Sequence, residues 1–193
     1  VISPLIALMK DQVDALDARG FRAATLNSSM DASERADVMA RLRRREVNFL
    51  YVAPERLLQP SLLALLKDVQ VRRVAVDEAH CASEWGHDFR PDYLKIGEFL
   101  DHLGRPSCIA LTATATPEVR DDIVAILGLR DAAVIVAGFD RPNIACSVVR
   151  ARGEEERIDR LVAAFDAFDP KDGTALVYAG SRKNTETVAA TLA

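Results

Sequence analysis

The segment from Ala75 to Tyr93, AVDEAHCASEWGHDFRPDY, concentrates acidic, imidazole and aromatic side chains directly behind a short apolar run. Asp77 and Glu78 follow that run without a break. In an open parallel sheet, ligands bind beyond the carboxyl ends of the strands, so two carboxylates at this place face a crevice. One carboxylate is suited to hold the Mg²⁺ of a nucleoside triphosphate, and its neighbour to orient or deprotonate the attacking water. The pattern predicts phosphate chemistry, with an acidic turn that caps the next helix as the alternative.

Trp85 and Phe89 lie further along the same segment, among glycine, proline and charged residues. Aromatic side chains stack on nucleobases with about 1–3 kcal/mol per base and without reading the sequence. Arg90 adds a phosphate or cation–π contact. The alternative is that both aromatic residues anchor a hydrophobic core, but the turn-forming neighbours disfavour a buried helix.

The spacing of apolar residues indicates the elements that hold this segment in place. Short β-branched runs alternate with longer stretches of helical period, which is the pattern of repeated βαβ units. The sequence therefore predicts an α/β fold with a parallel sheet and helices on both of its faces. The predicted strands are Val1–Ser3, Ala23–Leu26, Phe49–Val52, Arg73–Val76, Cys108–Leu111, Val134–Ala137, Ser147–Val149 and Ala175–Tyr178.

Capping residues locate the loops between these strands. Asp31, followed three residues later by Glu34, forms a capping-box pattern at the start of one helix. Thr116 as N-cap and Gly128 beyond the last turn delimit another helix. The first helix carries an apolar stripe that is expected to face the core, formed by Leu5, Leu8, Met9, Val13 and Leu16.

Composition describes an ordinary globular protein. The chain has 193 residues, of which 49% are hydrophobic and 28% charged, and this length leaves room for more than one domain. Its 25 basic and 29 acidic residues give a net charge of -4, which excludes the strongly basic surface of a histone-like binder. One basic cluster, Arg41 and Arg43 to Arg45, is interpreted as the solvated end of a helix.

Cys81, Cys108 and Cys146 are odd in number and widely spaced, so we predict free thiols and a reducing compartment, cytoplasmic or, in a eukaryote, nuclear. A zinc cluster of His80, Cys81 and His87 is an alternative that lacks a fourth tetrahedral ligand. No apolar run approaches the roughly 18 residues that a membrane helix requires, so no membrane association is expected.

The quartet from Asp77 to His80 spells DEAH, and with it the segment resembles motif II of superfamily 2 helicases and translocases. Other segments resemble further motifs of that superfamily, namely VISPLIALMKDQV motif Ia, YVAPERL motif Ib, ALTATAT motif III, FDRPNI the lead-in to a second lobe and LVYAGSRKNTETVA motif IV. Their order and spacing resemble the RecQ DNA helicases over nearly the whole chain. The resemblance implies a first RecA-like lobe over residues 1–140 and the N-terminal part of a second RecA-like lobe over residues 141–193.

The resemblance also implies roles for individual residues. ATP and Mg²⁺ are the expected cofactors, with Asp77 as the residue that holds Mg²⁺ through ATP and with Glu78 and His80 as its catalytic neighbours. The segment after motif II corresponds to an aromatic-rich loop that contacts single-stranded DNA and couples its arrival to ATP hydrolysis. The complete protein is expected to unwind duplex DNA from 3′ to 5′ in repair and recombination. The residues expected to bind DNA or to couple it to hydrolysis are Trp85, His87, Asp88, Phe89, Arg90, Ser3, Thr112 and Thr114.

ATP binding in this class relies on a G-x-x-x-x-G-K-[ST] loop, and no Gly-Lys dipeptide occurs in the sequence. In the family that loop precedes motif Ia, and motifs V and VI follow motif IV. We therefore expect them upstream of Val1 and beyond Ala193, and we expect this piece alone to hydrolyse little ATP. The alternatives are another superfamily 2 RNA helicase or translocase, a non-catalytic nucleic-acid-binding module and a metal-dependent hydrolase. The sequence does not indicate the oligomeric state.

Overall fold

The computed structural model describes residues 1–138, 142–167, 171 and 173–192. It divides into two compact units, Val1–Ile135 and Val136–Ala193. The predicted boundary between residues 140 and 141, and residues 139–141 of the FDRPNI segment, lie outside the described residues. The assignment of each unit to a RecA-like lobe therefore stays a prediction.

Parallel strand pairs form the centre of the first unit, because helical crossovers return each strand in the same direction. Ile2 bridges to Val52 on one side and to Val76 on the other, so it joins the two pairs into one sheet. The carboxyl ends of the strands consequently share one edge. The strands are β1 (Ala23–Leu26), β2 (Phe49–Val52), β3 (Arg73–Val76) and β4 (Ser107–Ala110), with β1 paired to β2 and β3 paired to β4.

Helices cover both faces of this sheet, as predicted. Along β2, Leu50 and Val52 join a large hydrophobic core, whereas Tyr51 packs with Met9 in a small core on the opposite face. This alternation follows from the two-residue period of a strand. The helices of the first unit are α1 (Ile6–Asp17), α2 (Ala32–Arg43), α3 (Pro60–Val69), α4 (Ile96–His102) and α5 (Pro117–Leu127), with 3₁₀ turns at Pro54–Arg56, Ala79–Ala82 and Pro91–Lys95.

The predicted strands of the first unit agree with the structure except at its ends. Three of them have the predicted bounds, and β4 begins and ends one residue earlier than predicted. The predicted strand Val1–Ser3 is reduced to the bridge at Ile2. The predictions of strands at Val134–Ala137, Ser147–Val149 and Ala175–Tyr178 are wrong. These apolar runs have no strand beside them among the described residues, and a strand without a hydrogen-bonded neighbour is not stable in water.

The capping predictions are confirmed. The Asp31 side chain accepts from the backbone of Glu34, whose own carboxylate accepts from the Asp31 backbone, so the capping box is complete. Thr116 caps α5 at its start, and Gly128 ends it in the left-handed region with φ 59. The arginine cluster lies at the C-terminal end of α2, as interpreted from the sequence.

The apolar stripe of α1 is only partly buried, which corrects the prediction that all of it faces the core. Met9 is completely buried, and Val13 and Leu16 are half-buried, whereas Leu5 and Leu8 are 39% and 43% exposed. The small core on this face consists of a few residues around Tyr51, so it covers only the middle and end of the helix.

The second unit contains the helices α6 (Gly153–Asp166) and α7 (Arg182–Leu192). Neither helix has a buried residue. Among the residues that the structure describes, no helix is long and apolar enough to cross a membrane.

Candidate active site

Asp77 lies at the carboxyl end of β3, on the edge where parallel strands present their ligand-binding loops. Its backbone amide donates to Ile2 O at 2.8 Å, which continues the sheet by one residue. One carboxylate oxygen accepts from the Glu78 amide at 3.0 Å, and the other accepts from the Ser3 hydroxyl at 3.3 Å. These neighbours fix the direction of a half-buried carboxylate.

Glu78 adopts a left-handed backbone conformation, with φ 47 and ψ 45. This region is uncommon for residues other than glycine, and strained backbone of this kind concentrates at functional sites. Glu78 precedes the 3₁₀ turn Ala79–Ala82, but its side chain makes no capping hydrogen bond there. The alternative of an acidic capping turn therefore does not describe this residue.

His80 connects the acidic pair, Asp77 and Glu78, to Thr112 in the segment that follows β4. Its side chain is buried, and its Nδ1 lies 2.9 Å from Thr112 Oγ1 and 3.4 Å from Glu78 Oε2. The Thr112 hydroxyl also lies 3.2 Å from the Thr114 carbonyl oxygen, so a His80 Nδ1–H that donates to Thr112 satisfies both contacts. Thr114 itself is exposed.

The His80 ring stacks on the ring of His87, with centroids 4.3 Å apart and an angle of 20° between the planes. Burial lowers the pKa of His80 below its ordinary value, and the neighbouring His87 lowers it further. Glu78 and Asp88 act in the opposite direction. The balance favours the neutral imidazole, which leaves one ring nitrogen free to accept a hydrogen bond.

The aromatic loop, residues 83–90 between the last two 3₁₀ turns, leaves this stack and reaches the surface. Trp85 is 82% exposed, so the prediction that it avoids the hydrophobic core is confirmed, and Phe89 is half-buried. A side chain at Gly86 would collide with the backbone carbonyl of His80, so the loop folds back tightly on the 3₁₀ turn at this point. The segment therefore presents its indole to solvent from a base that is packed against His80.

Arg90 ties the far end of the loop to the start of the chain. Its guanidinium grips Asp88 through Nε at 3.1 Å and Nη2 at 2.8 Å, and it donates to the Pro4 carbonyl at 3.2 Å. The hydrogen bond from Arg90 is the main cause that holds the pKa of Asp88 below its ordinary value. Burial raises the pKa of the nearby Cys81 thiol to about 11, so this cysteine is an inert core group rather than a nucleophile.

Several contacts at the site involve residues that the sequence did not single out. Tyr93 is completely buried and donates from its hydroxyl to the Asp77 carbonyl at 2.8 Å. Ser83 donates to Asp122 of α5 at 2.6 Å and accepts from the Trp85 amide at 3.2 Å. Tyr93 is the last residue of the segment from Ala75 to Tyr93, but no local signal distinguishes its hydroxyl from that of an ordinary core tyrosine.

The structure brings most of the predicted site residues into one contiguous group. Ser3 is buried beside Asp77, so its hydroxyl is not open to solvent, and its contact with DNA stays a prediction. Thr114 contributes only its backbone to the group through Thr112. The predicted residues that are linked by direct contacts are Ser3, Asp77, Glu78, His80, His87 and Thr112 in one chain of contacts, and Asp88 and Arg90 in an ion pair beside it.

The residues at the edge of β3 fit a nucleotide-bound Mg²⁺. A single oriented carboxylate with lone pairs remaining on both oxygens matches the usual protein contribution to Mg²⁺, which keeps water and phosphate oxygens as its other ligands. Among residues 1–138, 142–167, 171 and 173–192, no group of three or more His, Cys, Asp or Glu side chains could hold a metal ion by itself.

Comparisons with known proteins point to one family. Residues 1–123 match the family described as DEAD/DEAH box helicase. The chain is 45% identical over 184 residues to the probable ATP-dependent DNA helicase RecS of Bacillus subtilis, an alignment that covers 95% of this chain and 36% of that protein. It is 41% identical over 192 residues to the ATP-dependent DNA helicase RecQ of Pasteurella multocida, covering 100% of this chain and 30% of that protein.

A eukaryotic relative matches a shorter part. The ATP-dependent DNA helicase Q5 of Rattus norvegicus is 45% identical over 148 residues, which are 74% of this chain and 15% of that protein. The chain thus spans about a third of the length of the bacterial relatives and less of the eukaryotic one.

Proposed function

The chain belongs to the DEAD/DEAH box helicase family, and from that membership we propose that it is part of the motor of a RecQ-type ATP-dependent DNA helicase. The relatives RecQ and Q5 carry the name ATP-dependent DNA helicase, and RecS carries the name probable ATP-dependent DNA helicase. In this proposal the complete gene product hydrolyses ATP to separate DNA strands. Residues 1–140 belong to its first RecA-like lobe, and residues 141–193 begin the second.

One observation carries the proposal, which is the contact path from the acidic pair to the exposed loop. His80 lies 3.4 Å from Glu78 and stacks on His87, which follows Trp85 by two residues. A ligand that moves the loop therefore moves a ring in direct contact with the imidazole beside Glu78. An ATPase that is stimulated by nucleic acid requires such a connection between its nucleic-acid binding site and its site of ATP hydrolysis.

Asp77 and Glu78 have different roles in ATP hydrolysis. When bound, Mg²⁺–ATP would supply the phosphoanhydride bond and the cation that neutralises its charge. Asp77 would hold the cation through a carboxylate that is oriented by the Ser3 hydroxyl and the Glu78 amide. Glu78 orients or deprotonates the attacking water, and His80 fixes Glu78 relative to Thr112.

The loop supplies the grip on nucleic acid. Trp85 and Phe89 stack on bases, and His87 transmits their position to His80. Arg90 binds a backbone phosphate. Asp88 competes with that phosphate, because its carboxylate already accepts hydrogen bonds from Nε and Nη2 of Arg90. Thr112 and Thr114 lie on the segment behind β4 and complete the coupling.

Polarity and cellular role follow from the resemblance to RecQ helicases. We include in the proposal 3′ to 5′ movement, a role in repair and recombination, and both single-stranded and duplex DNA as partners. Conformational changes of the complete motor on ATP binding and hydrolysis would convert turnover into steps along the strand.

A steady-state ATPase assay of the complete gene product, with and without single-stranded DNA, tests the catalytic role of Glu78. The Glu78→Gln variant should lose at least about 100-fold in turnover, because the amide cannot act as a base. Nucleotide binding, measured with a fluorescent ATP analogue, should persist. The control is Glu84→Gln, which changes an exposed carboxylate of the same segment. Undiminished turnover in Glu78→Gln contradicts the assignment.

The same ATPase assay distinguishes a defect in DNA binding from a defect in ATP hydrolysis. Trp85→Ala should raise the DNA concentration for half-maximal stimulation by about 5- to 150-fold, because one stacking contact of 1–3 kcal/mol is lost. Its basal turnover should stay near that of the wild type. An equal loss of basal and stimulated rates argues against the coupling role.

An unwinding assay with DNA and RNA duplexes tests the alternative of another superfamily 2 motor. Stronger unwinding of RNA than of DNA duplexes favours that alternative.

A further inference from the structure

A buried hydroxyl links the loop to helix α5 through hydrogen bonds. The Ser83 side chain is completely buried, donates to Asp122 Oδ2 at 2.6 Å and accepts from the Trp85 backbone amide at 3.2 Å. Asp122 is half-buried in the second turn of α5. The helix therefore reaches the backbone of the exposed tryptophan through two hydrogen bonds that share one oxygen atom.

Two backbone hydrogen bonds near Ser83 stay within the segment itself. The Ser83 amide donates to His80 O at 3.1 Å, and the Gly86 amide donates to Ser83 O at 3.0 Å, so these bonds fold the loop only onto its own preceding turn. The Asp122 carboxylate relates the loop to a separate element. A short hydrogen bond to a carboxylate is stronger and more directional than one between neutral groups.

Helix α5 starts at the end of the threonine segment, residues 112–116. Thr116 is its N-cap, and Thr112 of the same segment contacts His80 at 2.9 Å. One short stretch of chain therefore touches the loop region twice, through Thr112 to His80 and through Asp122 to Ser83. The second path meets the loop directly at Trp85, without passing through the acidic pair.

We propose that Asp122 is a positioning residue for the nucleic-acid loop, because its carboxylate orients Ser83 and so fixes the backbone from which the Trp85 indole projects. The positioning itself requires only the folded chain, and its consequence for DNA rests on the proposed function. Without the carboxylate, Ser83 loses its strong acceptor, and the Trp85 amide loses a fixed partner.

Tryptophan fluorescence tests this directly, because Trp85 is the only tryptophan of the sequence. Time-resolved anisotropy of the 193-residue chain should show faster segmental motion of the indole in Asp122→Ala and in Ser83→Ala. Asp122→Asn keeps an acceptor oxygen, so in this variant the motion of the indole should be nearly as restricted as in the wild type. The matched control is Asp121→Ala, which removes an exposed carboxylate one position earlier on the same helix. Wild-type motion in both alanine variants overturns the proposal.

Hydrogen exchange of the wild type covers the case in which the alanine variants do not fold. The Trp85 amide should exchange more slowly than the neighbouring Glu84 amide, because its acceptor is buried. Equal exchange of the two amides overturns the proposal.

Quenching of Trp85 by an oligothymidylate then measures the consequence for binding. The affinity should fall about tenfold in Asp122→Ala and recover in Asp122→Asn. A wild-type chain that shows restricted motion but no quenching leaves the anchor in place and counts against the proposed function instead.

Discussion

His80 is the residue at which the acidic pair, the threonine segment and the aromatic loop meet. It contacts Glu78, Thr112 and His87 through one buried imidazole. Protonation would place a positive charge against the stacked His87 ring in a site with little access to water. Glu78 and Asp88 would partly compensate this charge, and Arg90 would add to the repulsion. The residue therefore connects the stability of the site to pH.

The depressed pKa of His80 gives that connection a definite sign. An unfolded histidine has a pKa of about 6.5, and burial lowers the folded value below it. The unfolded chain then binds the proton more readily, so His80 contributes stability above about pH 6.5 that is lost as the pH falls towards the folded pKa.

Denaturant unfolding at about pH 7.5 and about pH 5.5 checks this expectation, because the interval spans the ordinary pKa of histidine. The wild type should lose stability on acidification, and His80→Gln should show a smaller loss, since glutamine does not titrate. The control is His102→Gln, which removes an exposed imidazole at the end of α4. The prediction fails when His80→Gln and the wild type have the same pH dependence.

At the scale of elements, helix α4 lies unusually close to the end of α5. Gly97 lies in the first turns of α4, and a Cβ atom there would sit 2.5 Å from the Ile126 carbonyl oxygen. The obstacle is backbone rather than a flexible side chain, so it does not yield easily. The glycine thus permits the approach by which α4 and α5 close the large core.

Replacement of Gly97 by alanine sets two effects against each other. Alanine favours a helix over glycine by about 1 kcal/mol, whereas overpacking against a fixed backbone costs about 1–3 kcal/mol. We expect the clash to dominate, so that Gly97→Ala lowers the free energy of unfolding measured by urea titration. Gly180→Ala is the control, since no atom of the described residues lies within 4 Å of its added Cβ. A stabilised Gly97→Ala variant would mean that the helices separate at little cost.

The elements that the sequence predicted well are those in which local and tertiary signals agree. The run Phe49–Val52 is β-branched and aromatic, is preceded by a capped helix, and forms β2 with the predicted bounds. The run Ala175–Tyr178 has a similar composition but lies in no strand. The difference is a neighbouring strand, which the local sequence does not specify because strand formation depends on context.

The same reasoning separates the predictable from the unpredictable parts of the site. Asp77 and Glu78 are recognisable because their position behind an apolar strand already determines which edge they occupy. The contacts of Tyr93 with Asp77 and of Ser83 with Asp122 span 16 and 39 residues of sequence. They arise from packing between elements, so only the structure reveals them.

At the scale of the whole molecule, the two units differ in how their helices are held. In α5, Val119, Ile123 and Leu127 are buried in the large core. In α6 no residue is buried, although this helix is the longer of the two. Isolated helices shorter than about 12–15 residues are marginal in water, and helix stability in proteins mostly depends on the packing of an apolar face. In α6 that face, Ile158, Leu161, Val162 and Phe165, is only half-buried.

Hydrogen exchange of the 193-residue chain, read by mass spectrometry, should therefore separate the two helices. Peptides from α5 should exchange at least about tenfold more slowly than peptides from α6, because opening α5 exposes fully buried core side chains whereas opening α6 exposes only half-buried ones. The comparison is internal, since both helices experience the same solution and contain similar numbers of residues, 11 and 14. Equal protection of α5 and α6 would contradict the prediction. It would show that the stability of α6 does not depend on the burial of its own side chains among the described residues.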